Sequence, residues 1–414
     1  MSKGPSDGIL WPLRNSDFRR LIISSGLWCQ SMWIESVAIG WLALELTDSA
    51  WWVALIGFFR TAPMPLIGIF GPVITERYQR RRLILVTQCV IFCSIFVLSM
   101  LHFHKILDYW HLATASFVTG TAWALDWPTR RSLFPDLLGK HKVVDALFLE
   151  NIIQSFSRLT GPLSAGLIVN LFGTQGALNT LVISSALSVT ALSGIRTKSR
   201  SPERSSGFLD SVSRGYEGLN YAFRNTTILA VLSITVAMNL LAFPYQDLLP
   251  VFARDILGTE AFGLGLLGAA CGLGNILGLL LIGRIRGKRS NSWIFTVASM
   301  LACMSLIGFS QSTSFVLSLL ILILVGIGQS GFSLMQSSII LIEASDAMRA
   351  RVMGTLVLAI GFGPLGRIQA GAIADSFNSP FAVMAMSLIA FACVSAVGFL
   401  STEFPWFKSR TKTL

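Results

Sequence analysis

Residues 67–103 read IGIFGPVITERYQRRRLILVTQCVIFCSIFVLSMLHF. An apolar run ends, Glu76, Arg77, Arg80, Arg81 and Arg82 crowd into one short stretch, and a second apolar run follows with no charged residue until Lys105. A membrane helix needs about 20 mainly apolar residues, so this stretch predicts two spans joined by a short basic loop. The same alternation extends in both directions. It predicts spans at 21–46, 50–74, 83–103, 109–128, 148–172 and 176–195, then at 227–248, 262–283, 293–311, 314–341, 351–375 and 380–400. The expected fold is therefore an all-α membrane protein with twelve transmembrane helices in two pseudo-symmetric six-helix bundles, 1–195 and 226–414. The polar segment 196–225, which includes RTKSRSPERSSG, is the expected cytoplasmic linker.

Composition agrees. Of 414 residues, 53% are apolar and 13% charged, with a mean hydropathy of +0.66, whereas soluble domains carry about 25% charged residues. The net charge is nevertheless +11, from 32 Lys and Arg against 21 Asp and Glu. Few charges with a basic bias exclude a disordered or nucleic-acid-binding chain and disfavour a soluble enzyme. Twenty-seven of the 32 basic residues fall in segments on one side of the predicted spans, and only Lys105 and Arg254 fall on the other. The positive-inside rule then predicts a multi-pass protein of the cytoplasmic (inner) membrane with both termini cytoplasmic. The opening residues do not read as a cleaved signal peptide.

Two short matches link the halves. Arg14-Asn15-Ser16 before the first span recurs as Arg224-Asn225-Thr226 before the seventh, and Gly161-Pro162-Leu163 recurs as Gly363-Pro364-Leu365. Their offsets of 210 and 202 residues bracket half the chain, which suggests a duplicated six-helix unit of the kind transporters use.

Glu76-Arg77-Tyr78-Gln79-Arg80-Arg81-Arg82 resembles the loop between spans two and three of the major facilitator superfamily, with Glu76 where that loop has Asp. Leu133-Phe134-Pro135-Asp136-Leu137, Leu249-Pro250-Val251-Phe252 and Arg349-Ala350-Arg351 also resemble its bacterial drug and siderophore exporters, of the enterobactin-exporter and macrolide-efflux type. The resemblance implies alternating access, a cavity lined by spans one, four, seven and ten, and a cytoplasmic gate at Glu76, Arg77, Arg80 and Arg81. The fourth span as bounded above carries no arginine, so the proton-transfer motif of many drug antiporters is absent from it.

Charges inside spans cost about 2.5–3.5 kcal/mol each on the insertion scale and so mark function or pairing. Glu35 and Arg60 lie at similar depth, about 15–16 Å along adjacent spans, which predicts an ion pair. That pair reads either as a proton-coupling site on Glu35 or as a fixed structural contact. Arg158 reads as a packing residue, and Arg367 as an anion-binding residue or a snorkelling one. Helical spacing groups Trp28 with Glu35, Thr119 with Trp123 and Asp126, Thr235 with Asn239 and Phe243, and Gln329 with Ser333 and Gln336. The substrate-binding candidates are thus Trp28, Glu35, Arg60, Trp123, Thr235, Asn239, Gln329, Gln336 and Arg367. Asp126 is assigned to the gate. Trp28 and Trp123 beside amides and hydroxyls suit an amphipathic, ring-bearing molecule, and interhelical packing explains them equally well.

No phosphate-binding loop or metal-ligand spacing occurs, and no cofactor is expected. His102 and His104 read as solvated residues of an outer loop, and Cys29, Cys89, Cys93, Cys271, Cys303 and Cys393 as packing residues. The leading expectation is a monomeric secondary exporter of a small amphipathic molecule in the lipid bilayer, with protons as a candidate coupling ion and no nucleic-acid partner. Uptake of an organic anion and a non-transporting ligand sensor or scaffold are the alternatives.

Overall fold

The computed structural model describes residues 11–65, 67, 78–139, 142–196, 217–285, 288–345 and 348–400. Among them every extended element is helical, and eight helices are long and apolar enough to cross a membrane. Hydrocarbon supplies no partner for backbone N–H and C=O groups, so helices that satisfy their own backbone are the natural solution. Large apolar side chains such as Leu171, Phe172, Leu280 and Phe399 remain exposed, as lipid-facing surfaces require.

The helices are α1 Ser16–Thr47, α2 Ala50–Thr61, α3 Arg80–Phe103, α4 Tyr109–Leu138, α5 Val143–Ser193, α6 Thr226–Ala237, α7 Tyr245–Val251, α8 Ala261–Ile285, α9 Asn291–Ser310, α10 Phe315–Glu343, α11 Arg349–Ile360, α12 Gly363–Ser376 and α13 Ser379–Leu400. The predicted fifth and sixth spans form one continuous run, α5, broken only at Gly173, whose φ of 69° reverses the helix where an L side chain would be strained. The predicted seventh span is α6 and α7 with π-helical turns at Met238–Ala242 and Phe252–Ile256. The expected linker lies largely outside the described residues, as do Glu76 and Arg77.

The helices sort into two compact units. One holds the described residues of Met1–Asp48, Phe59–Gly207 and Glu260–Ala269, and the other those of Ser49–Phe58, Phe208–Thr259 and Ala270–Leu414. The first unit thus includes the opening turns of α8, and the second most of α2. Small residues explain both inclusions, because they let backbones approach closely. In the first unit Gly166 of α5 lies against Gly265 of α8, and Gly268 against Pro162. In the second, Gly371 of α12 lies against Trp51 and Ala54 of α2, while Gly274 and Gly278 of α8 lie against Ile323 and Ile327 of α10.

At the basic end of the first unit, Phe18, Leu21, Ile84, Leu133, Phe134, Leu149 and Leu192 form a fully apolar core from α1, α3, α4 and α5. Arg80 donates to the Ser132 carbonyl at 2.8 Å and to Asp136 at 3.1 Å, fastening the start of α3 to the end of α4. Arg81 donates to the Ser193 carbonyl at 3.1 Å. The Arg-Asn repeat has a physical reason as well: both asparagines are N-caps. Asn15 accepts from the backbone N–H groups of Asp17 and Phe18 and donates to the Leu137 carbonyl at 2.9 Å, whereas Asn225 accepts from Ile228.

Because Asn15 caps one helix and ties it to another, Asn15→Ala should cost about 1–2 kcal/mol. Asn225→Ala should cost nearer the lower figure. Thermal midpoints of the detergent-purified variants check this ranking, and equal losses would contradict it.

Candidate functional site

In the first unit α1 and α4 run antiparallel and meet in three layers. At the basic end Arg130 pairs with Asp126 one turn earlier, and both side chains are completely buried. Arg130 Nη1 also donates to the hydroxyls of Ser24 at 3.0 Å and Ser25 at 3.1 Å, while Thr87 donates to Asp126 at 2.8 Å. In the middle layer the Arg130 guanidinium lies 5.4 Å from the Trp28 ring, which stacks on Trp123 at 6.4 Å; Trp123 in turn stacks on Trp127 at 6.3 Å. In the third layer Thr119 donates to Glu35 Oε1 at 2.8 Å. Eleven residues separate the first and third layers on each helix, about 16 Å at the α-helical rise, so the layers stay in register.

Two expectations need correction here. Glu35 and Arg60 do not pair. Arg60 instead donates to the Met32 carbonyl at 2.9 Å, one turn before Glu35. The cause is Gly120, against which the Arg60 backbone carbonyl packs directly. That contact sets the rotation of α2 and turns the guanidinium toward the α1 backbone. Second, the fourth helix does carry arginine, because it continues through Pro128 to Leu138 and buries Arg130. Asp126, expected at the gate, has no exposed surface and is held by Arg130 and Thr87, bracing α1, α3 and α4. Arg158 places its guanidinium 5.3 Å from the Trp33 ring. His102 is engaged rather than solvated, with its ring nitrogens 2.7 Å from Gln175 Oε1 and 3.1 Å from the Thr174 hydroxyl.

In the second unit the predicted faces of the seventh and tenth spans also meet. Gln336 donates to the Thr235 hydroxyl at 2.7 Å, and Phe243 meets Phe332 edge to face at 5.2 Å. Asn239 sits in the first π turn and donates to the Thr235 carbonyl at 2.9 Å. Cys271 lies between Tyr245 and Gln329, its sulfur 3.4 Å from the Tyr245 hydroxyl. Arg367 forms an ion pair with Asp247 at 2.7 Å, with each side chain 19% exposed. Its charge is therefore offset, and the expected anion-binding role weakens. Asp247 is legible in the sequence as an acid inside the predicted span 227–248, one residue before its expected end. All six cysteines are free, and no cluster of metal-ligating side chains occurs among the described residues.

Apolar helices long enough to cross a membrane, with polar layers buried between them, fit a multi-pass membrane transporter. A family model described as the transmembrane secretion effector matches residues 8–412, so the chain belongs to that family of the major facilitator superfamily. It is similar to the staphyloferrin A transporter of Staphylococcus aureus (strain NCTC 8325 / PS 47), 22% identical over 372 residues and covering 88% of this chain and 91% of the relative. It is also similar to the multidrug efflux pump Tap of Mycolicibacterium fortuitum, 23% identical over 375 residues and covering 86% and 88%. Among solved structures, a POT family transporter in complex with 5-aminolevulinic acid shares the fold, with a TM-score of 0.77, 13% identity and coverage of 94% and 96%.

Removing only one member of the Asp126–Arg130 pair leaves a buried charge uncompensated, a loss of about 3–5 kcal/mol. Arg130→Met alone should therefore lower the thermal midpoint sharply, and Asp126→Leu/Arg130→Met should recover most of it. A double variant no better than the single one would show that the pair is not the stabilising unit.

Proposed function

We propose that the chain is a proton-coupled exporter of a small amphipathic molecule, with Glu35 as the coupling carboxylate. The observation that carries this reading is the setting of Glu35. It is a half-buried acid at membrane depth, bonded to the Thr119 hydroxyl, with no ion pair among the described residues. A carboxylate there is costly when charged, so taking up a proton or meeting a cationic group of the substrate is favourable. The Trp28–Trp123 stack one layer away offers an apolar, ring-accepting surface. A relative named as a multidrug efflux pump supports export.

With it we propose the architecture expected from the sequence. Twelve spans form two six-helix bundles, 1–195 and 226–414, joined by the linker 196–225, in a monomer of the cytoplasmic membrane with both termini cytoplasmic. Substrate would meet Trp28, Glu35 and Trp123 in one half and Thr235, Asn239, Gln329 and Gln336 in the other, with Glu76, Arg77, Arg80 and Arg81 gating the cytoplasmic side. The anion-uptake alternative loses support, because Arg367 is offset by Asp247 and Arg60 is engaged by a backbone carbonyl.

Purified protein in liposomes, screened for counterflow of amphipathic drugs and siderophores, tests the assignment. A folded protein that binds such ligands without counterflow would favour the sensor alternative. With a transported compound in hand, Glu35→Gln should abolish acceleration by an imposed proton gradient while retaining counterflow. Unchanged acceleration would remove Glu35 from the coupling step.

A further inference from the structure

The buried hydroxyls around Arg130 continue into α3 and α5. Ser24 Oγ of α1 lies 2.7 Å from Ser188 Oγ of α5, and Ser188 donates to Gln88 Oε1 of α3 at 3.0 Å. The direction of the hydrogens follows from one fixed end. Arg130 has donors only, so Ser24 accepts from it. Ser188 commits its single hydrogen to Gln88, so Ser24 donates to Ser188. The chain therefore runs Arg130, Ser24, Ser188, Gln88, each donating to the next, which strengthens every member. The residue before Gln88, Thr87, donates to Asp126 at 2.8 Å, and Asp126 holds Arg130 Nε. The path thus closes into a ring through α1, α3, α4 and α5.

Two members of the ring carry a nitrogen that no group among the described residues receives: Arg130 Nη2 and Gln88 Nε2. Arg130 is 0% exposed and Gln88 1%, so neither reaches solvent, and a buried donor without an acceptor is costly. Their positions are set by what the same groups already hold. In a planar guanidinium Nη2 shares one edge with Nε and the other with Nη1. It therefore stands between Asp126 on one side and Ser24 and Ser25 on the other. Gln88 Nε2 belongs to the carboxamide whose oxygen meets Ser188. Exchanging the two ends of that amide changes the atom and not the site, because whichever end faces Ser188 leaves the other without a partner.

We propose that the first unit binds an internal water molecule inside this ring, bridging Arg130 Nη2 and Gln88 Nε2 and so tying α4 to α3. The chemistry of the ligand follows from the count of hydrogens and charges. Both nitrogens need an acceptor, which one water supplies with its lone pairs. Its own hydrogens go to the Asp126 carboxylate, whose oxygens keep further lone pairs after Arg130 and Thr87 are served. A halide would also accept from both nitrogens. It would, however, add a negative charge where Asp126 already offsets Arg130 and Glu150 already holds Arg131 at 2.8 Å. Charge there is balanced, so the neutral molecule is favoured. Thr87 and Gln88 then fasten α3 to α4 at successive residues, one directly and one through water.

The proposal rests on packing within the first unit and not on Glu35, the transported molecule or the direction of transport. Its test is the electron density of the full chain, crystallised from a lipidic mesophase with bromide in place of chloride, at a resolution that shows ordered water. The expected result is one peak about 2.7–3.2 Å from both nitrogens, with no anomalous signal at the bromine edge. A bromine signal there overturns the proposal in favour of an anion site. A peak that touches one nitrogen alone overturns it too, as does a map with no peak between them. Gln88→Met keeps the length of the side chain and removes the amide. It should lose the peak while Asp126 and Arg130 stay paired, and a peak unmoved in that variant would refute the bridge. The parent crystal decides even if Gln88→Met fails to fold.

Discussion

A guanidinium with no exposed surface governs the first unit. Arg130 cannot give up its charge and cannot reach bulk water, so the chain must surround it with acceptors in fixed places. Asp126, Ser24 and Ser25 do so, with Thr87 holding the far oxygen of Asp126. These contacts join α1, α3 and α4 at one height. Once that height is set, antiparallel helices of equal rise bring Trp28 to Trp123 and Glu35 to Thr119 without further instruction. The upper layers can therefore be chemically sparse, because their alignment is fixed one and three turns below.

The second unit solves the same problem with neutral groups. Thr235 and Gln336 join α6 to α10 without charge, and an ion pair between Asp247 and Arg367 joins α7 to α12. Asn15 and Asn225 cap their helices in the same way in the two units, whose interiors differ.

What the sequence makes legible follows from what helical periodicity encodes. Trp28 with Glu35 and Thr119 with Trp123 lie on helix faces separated by whole turns, and those faces meet as spacing requires. Arg60 shows the limit of that reasoning. Rise per residue gives its depth but not the rotation of its helix, and the rotation is set by a backbone contact at Gly120 that no charge pattern displays. Arg130 is obscured for another reason. A proline at 128 and two adjacent arginines look like the end of a span, and only packing against Ser24 and Ser25 reveals that the helix continues. Glu76, expected at the gate from the resemblance, lies outside the described residues.

The π turns at Met238–Ala242 and Phe252–Ile256 have a consequence for how this helix can evolve. Each accommodates one residue more than an α-turn, and one residue rotates everything beyond it by about 100°. Asp247 follows the first of these turns, so its azimuth toward Arg367 depends on an apparent insertion near Asn239. Deleting a residue there would leave every side chain chemically intact and still point the acid at a different neighbour. Length, as much as composition, is thus under constraint in a segment that hydropathy alone would treat as interchangeable.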